Sequence, residues 1–184
     1  MIIETVVSTI DRNNQVNFAP MGVVFVENSV LMRPFCSSRT FQNLRATRQA
    51  VVNITDNVLI LTWTALGKKD VPHFPTKYVK GYILADVCRY YEIEVEHLWA
   101  ATPRAEVSCR ILAEGRLRDF IGFNRAKHAV IEAAIMASRL HLLSRDQVRE
   151  KLLEYRLIVE KTGSRQEKAA MEFIEKHMER GGRP

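Results

Sequence analysis

Along the first third of the chain, apolar residues alternate with polar ones or gather in short β-branched runs, each ended by a turn cluster. Residues 1–10, rich in Ile, Val and Thr, read as a strand that stops at "DRNN", Asp11 to Asn14. "QVNFAP" resumes the strand and should end at Pro20, because proline cannot donate to a central ladder. Gly22 then admits "VVFV", and "ENS" turns the chain into "VLMRPF", a second hairpin. Residues 40–49 predict a helix of about two turns, with Thr40 as its N-cap and Phe41, Leu44 and Arg45 at helical spacing. "AVVNI", which contains Asn53, returns the chain to strand.

Residues 56–66 fit two patterns. Their β-branched and aromatic residues suit a strand, whereas Val58, Leu61, Thr62 and Ala65 make a helical stripe. The stripe favours a short helix capped by Thr55 or Asp56. Residues 67–80 hold two prolines, four lysines and His73, a loop long enough to carry function. Residues 81–98 read as strand, with Tyr91, Ile93 and Val95 on one face and Glu92, Glu94 and Glu96 on the other. A last strand is expected over 105–117.

From Phe123 the period becomes helical. Ala126, Val130, Ala133, Ala137 and Leu140 form one stripe, and Arg125, His128, Glu132 and Arg139 mark the opposite side. Ser144 stands three before Gln147 and Ser164 three before Glu167, two capping boxes separated by the break "KTGS". They predict a helical hairpin over 145–180. The expected class is α+β: a small antiparallel barrel over 1–122 and a helical extension over 123–184.

Composition narrows the classes. The 184 residues are 47% hydrophobic and 26% charged, as in a soluble globular protein. The longest charge-free run, Asn13 to Val26, is too short for a bilayer and is broken by Pro20 and Gly22, so no membrane partner is expected. "MIIETVV" lacks the basic start of a signal peptide. Cys36, Cys88 and Cys109 are odd in number and far apart, which suggests neither disulfides nor zinc and points to a reducing cytoplasm. The net charge of +6 comes from basic residues scattered among acids, which reads as a solvated surface rather than a nucleic-acid footprint. The histidines, His73, His97, His128, His141 and His177, have no metal-binding spacing. No GxSxG, GxGxxG or P-loop occurs.

One stretch carries candidate chemistry: "CSSRTFQNLR", Cys36 to Arg45. A strand that ends in small hydroxyl residues and opens a helix offers free backbone N–H groups at the positive end of the helix dipole. Ser37, Ser38 and Thr40 could add hydroxyls, and Arg33 and Arg39 could add charge and forked donors. Such a set suits a phosphomonoester. The ordinary reading is that Thr40 caps its helix and the arginines are solvated. Elsewhere, Glu92, Glu94 and Glu96 read as a solvated or partner-facing edge, and Asn124, beside Arg125 and His128, as a cap.

The order of features adds to this. Asn17, "APMG" (Ala19, Pro20, Met21, Gly22), Arg33, "SSRTFQNL" and "VVN" ending at Asn53 together resemble the flavin-reductase branch of the FMN-binding split barrels. The later "FNRAKHAVIEAAIMASRL" is similar to a signature of the domain of unknown function 447 family, which adds C-terminal helices to the barrel. The resemblance covers nearly the whole chain and implies a six-stranded split β-barrel with FMN as cofactor. It implies that Ser37, Ser38, Arg39 and Thr40 bind the phosphate with Arg33 as a second charge. Asn17, Ala19, Pro20, Met21 and Gly22 would line the ring, and Asn53 would meet ribityl or ring-edge atoms. Cys36 fits as a small buried filler. The resemblance further implies a homodimeric oxidoreductase using a small-molecule electron donor or acceptor such as NAD(P)H. A non-catalytic flavin carrier or sensor is the second reading.

Overall fold

In the computed structural model, which describes residues 1–68 and 70–180, the β-branched runs become strands and the 3.6-period stretches become helices. In chain order these are β1 (Ile3–Ile10), β2 (Val16–Val26), β3 (Ser29–Met32), α1 (Arg39–Thr47), β4 (Gln49–Ile54), α2 (Val58–Ala65), β5 (His73–Pro75), β6 (Tyr82–Leu84), β7 (Arg89–Ala101), β8 (Arg104–Arg116), α3 (Arg125–Ala137), α4 (Arg145–Thr162) and α5 (Arg165–Glu179). Six strands close into an antiparallel barrel in the order β1-β2-β3-β8-β7-β4, and β5 and β6 form a separate ribbon.

The chain divides into two units. The first is Met1–Thr55 with Pro72–Asp119, and the second is Asp56–Val71 with the residues from Phe120 onward. In the first, alternation sends Val7, Val23, Val30, Val52, Ile93 and Val107 into one core. Phe41 and Leu44, neighbours on one face of α1, belong to that same core, so the helix packs into the barrel rather than lying apart from it. Cys109 is wholly buried there. Burial pushes its thiol up to about 12, with Arg48 lowering and Glu96 raising it further.

Several expectations change. Pro20 does not end a strand: β2 runs unbroken from Val16 to Val26. The N-cap of α1 is Ser38, not Thr40, and that of α2 is Asn57, whose Oδ1 accepts the N–H groups of Leu59 and Ile60. Residues 81–98 are two strands, β6 and β7, and β7 carries register shifts at Glu92/Ile93 and Val95/His97. Glu92 is buried under the turn between β5 and β6 instead of lying on a solvated face. Its carboxylate accepts the N–H groups of Tyr78 at 2.6 Å and Val79 at 2.9 Å, which holds the turn between β5 and β6. A buried carboxylate needs such donors.

The second unit is helical. The alanine stripe of α3 (Ala126, Ala129, Ala133, Ala134, Ala137) is buried, and short side chains let helices approach closely. The helices α4 and α5 do not pair chiefly with each other. The former packs on α3, and the latter on α2 and α3. At the break between them a Cβ on Gly163 would stand 2.6 Å from the Val159 carbonyl and 3.2 Å from the Ala126 Cβ, so only glycine fits. Of the two expected capping boxes, Ser144 makes no side-chain cap, whereas Ser164 and Glu167 form the full box. Burial would raise the Glu167 carboxyl. The Ser164 hydroxyl at 2.6 Å and N–H at 2.8 Å, with Lys127 at 3.7 Å, more than offset it and hold the group below its ordinary range.

Because the folded pKa lies below the ordinary 4.5, Glu167 stabilises the protein above that value and loses this as pH falls through its folded pKa. Replacing it, Glu167→Gln, should cost about 1–2 kcal/mol near neutrality. In urea melts that gap should narrow toward pH 3. The Cys109 thiol should stay unreactive to an aromatic disulfide reagent at pH 8 until the protein is unfolded.

Candidate functional site

The mouth of α1 sits at the end of a clamped segment. Between β3 and α1 the chain is gripped by the β7–β8 turn. The Cys36 N–H donates to the Pro103 carbonyl at 3.0 Å, the Ala105 N–H to that of Pro34 at 2.9 Å, and Arg104 Nη1 to that of Arg33 at 2.9 Å. The Arg104 guanidinium also lies 3.8 Å over the Phe35 ring. Cys36 is half-buried against the barrel core, with Sγ 3.6 Å from the Ala101 carbonyl.

Ser38 then starts the helix. Its Oγ donates to the Phe35 carbonyl at 2.7 Å and accepts the Phe41 N–H at 3.2 Å, so this hydroxyl is committed to the cap. Helical bonding begins with the Gln42 N–H on the Ser38 carbonyl. The Arg39 and Thr40 amides therefore have no acceptor within the helix and lie in its positive field. The side chains of Ser37 and Arg39 are exposed beside them. Thr40 is buried, and its Oγ1 accepts from Asn17 Nδ2 at 3.1 Å.

That bond brings in β2. Asn17, Ala19, Pro20, Met21 and Gly22 stand opposite Thr9, Val7, Val6, Thr5 and Glu4 of β1, while β3 pairs only with Val23–Val26. The Val26–Ser29 pair closes a two-residue turn, and at the other end of the strand the Asp11 N–H bonds the Gln15 carbonyl at 3.1 Å. Alternation between those fixed points aims the backbone groups of Phe18, Pro20 and Gly22 away from β1. Among the described residues no strand pairs with them there, so this half of β2 is an open edge of N–H and C=O groups. The donor that Pro20 lacks belongs to that edge, which is why the ladder with β1 runs on through it. A Cβ on Gly22 would come 2.6 Å from the Ile2 Cγ2.

Two expected members stand apart. The Arg33 guanidinium is exposed and paired with Glu106 at 3.0 Å. Asn53 is fully buried. Its Nδ2 donates to the Val6 carbonyl at 3.1 Å, and its Oδ1 accepts the Leu84 N–H at 3.0 Å. It fastens β4 to β1 and β6, and its amide is committed to that task rather than to a ligand edge. Three residues went unread in the sequence: Arg104, which grips the entry segment, and Asn43 and Thr9, joined at 3.0 Å beneath α1. Asn43 stands three after Thr40, on the same helix face, which is the one signal that could have found it.

The profile described as "Protein of unknown function (DUF447) N-terminal domain" matches residues 3–118, and the companion "Protein of unknown function (DUF447)" matches residues 124–176. The chain belongs to the DUF447 family. An uncharacterised protein of Methanocaldococcus jannaschii is 26% identical over 194 residues, 95% of this chain and 96% of that one. The crystal structure of an FMN-bound DUF447 protein from Methanosarcina mazei superimposes with a TM-score of 0.84 at 22% identity, covering 95% of this chain and 94% of the other. The flavin reductase HpaC complexed with NADP+ gives 0.57 at 13% identity over 67% and 85% of the two chains. An FMN-binding protein from Thermus thermophilus with bound p-hydroxybenzaldehyde gives 0.54 at 17% identity over 62% and 71%. At these identities the likeness is one of fold: this DUF447 chain has a six-stranded antiparallel barrel similar to the split barrels of those structures, followed by helices. No helix among its described residues is long and apolar enough to cross a membrane.

The Asn17–Thr40 bond joins the two halves of the site and is testable by itself. Asn17→Ala and Thr40→Val should each lower stability by about 1 kcal/mol in urea unfolding. The double variant should lose less than the sum of the two, because both remove one bond.

Proposed function

We propose that the chain binds FMN and works as a flavin-dependent oxidoreductase. The observation that carries this is the open edge of β2 tied through Asn17 to the mouth of α1, which still has unused first-turn amides. A phosphate dianion asks for several converging donors and positive charge. The Arg39 and Thr40 amides, the Ser37 hydroxyl and the Arg39 guanidinium form such a set, and Ser38 contributes through the cap it makes. Arg33 adds to the field while staying paired with Glu106. The backbone groups of Pro20 and Gly22, flanked by Ala19 and Met21, fit the polar rim of a planar ring. The residues present therefore suit the group. The FMN-bound relative, alike over nearly the whole chain, supports the same reading.

Flavin, when bound, supplies reversible one- and two-electron transfer. The chain's part is to anchor the phosphate, hold the ring against the β2 edge and direct backbone donors at it. A nicotinamide dinucleotide is the electron donor we favour, in line with the NADP+-bound reductase of like fold. The acceptor is a small molecule. We also infer a homodimer. Leu31, Phe35 and Trp99 are 40, 46 and 69% exposed around the Arg33–Glu106 pair, an apolar face suited to a second copy. Three free cysteines suit a reducing compartment.

Titrating the apo-protein with FMN should quench flavin fluorescence to saturation. Arg39→Ala should weaken binding about tenfold or more, as expected for a lost hydrogen bond to a charged group. Arg33→Ala should change it less. Absence of quenching, or an Arg39→Ala variant that binds as tightly as its parent, would refute the reading.

A further inference from the structure

Two side-chain hydrogen bonds tie α1 to the β1–β2 hairpin. Asn17 Nδ2 donates to Thr40 Oγ1 at 3.1 Å, and Asn43 Nδ2 donates to Thr9 Oγ1 at 3.0 Å. Thr9 and Asn17 face each other across the two strands. Thr40 and Asn43 lie one turn apart on the helix. The four make a ladder of two rungs, with Thr9, Thr40 and Asn43 at 1, 2 and 4% exposure.

The C-cap residue Arg48 pins the far end of α1, its Nη2 donating to the Val95 and Glu96 carbonyls at 2.9 and 3.0 Å. The rest of the grip near the mouth is apolar, through Phe41 and Leu44 in the barrel core. Apolar burial is non-directional, so it holds the helix in place without fixing how far it rolls about its axis. Hydrogen bonds are directional and do fix that angle. A buried Asn–Thr pair contributes only modestly to stability, and apolar residues of similar shape would serve packing as well. What the polar pair adds is orientation. Thr40 is the point of transmission, because its side chain is in the ladder and its amide opens at the mouth.

We propose that Thr9 and Asn43 are positioning residues for anion binding at the mouth of α1. They set the roll of the helix so that the Arg39 and Thr40 amides converge beside the β2 edge. Neither residue touches the mouth. This rests on the FMN reading above and assigns it a control element that the phosphate senses and the ring does not.

The test compares FMN with riboflavin, which has the same ring and no phosphate. Dissociation constants for both are measured by fluorescence quenching in the parent, in Thr9→Val, in Asn43→Ser and in the milder Thr9→Ser. Ser164→Ala, a lost cap in the helical unit, is the control for lowered stability. Thr9→Val and Asn43→Ser should weaken FMN about tenfold while riboflavin stays within about twofold, the loss expected for one misaligned bond to a charged group. Thr9→Ser, which keeps the hydroxyl, should restore FMN affinity. Equal weakening of both ligands, no change in either, or the same FMN loss in Ser164→Ala would overturn the inference while leaving FMN binding intact. If Thr9→Val fails to fold, Asn43→Ser and Thr9→Ser decide the matter. A parent that binds neither ligand overturns the functional reading and this inference with it.

Discussion

The strand β3 is only four residues long, ending at Met32, and the site depends on that early stop. Had it continued, its backbone would have paired with β2 through Gly22 and Pro20. Instead the chain turns away through residues 33–38 and enters α1, which fills the barrel end with Phe41 and Leu44. Two kinds of unsatisfied backbone are left side by side in consequence: an unpaired strand edge and the first turn of a helix. Either alone is commonplace. Their union through Asn17 and Thr40 joins them into one surface, the one proposed above to take FMN.

Around that opening the barrel is fastened by buried polar groups rather than by apolar packing alone. Asn53 links β4 to β1 and β6, Glu92 holds the turn before β6, and Thr5 Oγ1 donates to the Met21 carbonyl at 2.8 Å. Each of these groups is satisfied, as burial requires. Such groups penalise any shift in register, because a slip would strand a buried polar atom. A rigid wall suits a barrel that must keep one stretch of backbone unpaired and still reject edge-to-edge association.

The helical unit is interleaved with the barrel in sequence. The chain leaves the barrel after Thr55, forms α2, and returns at Pro72. The helix α2 is almost uniformly apolar, with Val58, Ile60, Leu61, Thr62 and Thr64 all buried. A helix with so little polar face must be enclosed by others, and α3 and α5 enclose it. Its ambiguous pattern in the sequence has the same origin: a segment covered on most sides shows no strong period of either kind.

Much of the fold was legible from residues because the relevant forces are local. Turn clusters at Asp11 to Asn14 and Glu27 to Ser29 delimit the hairpins, the alanine stripe marks α3, and Ser164 with Glu167 announces α5. The start of α1 around Ser37 to Thr40 was also readable, since small hydroxyl residues before a helix have a local meaning. What sequence could not decide was which polar groups would find partners. Asn53 looked like a ligand contact and is consumed inside the wall; Thr40 looked like a cap and became a rung; Glu92 looked solvated and is buried under the β5–β6 turn. Pro20 looked like a strand end and lies on an edge that needs no donor. Spacing along the chain sets each residue's conformational options, whereas hydrogen-bond partners come from residues 13 to 47 positions away and exist only once the strands have closed.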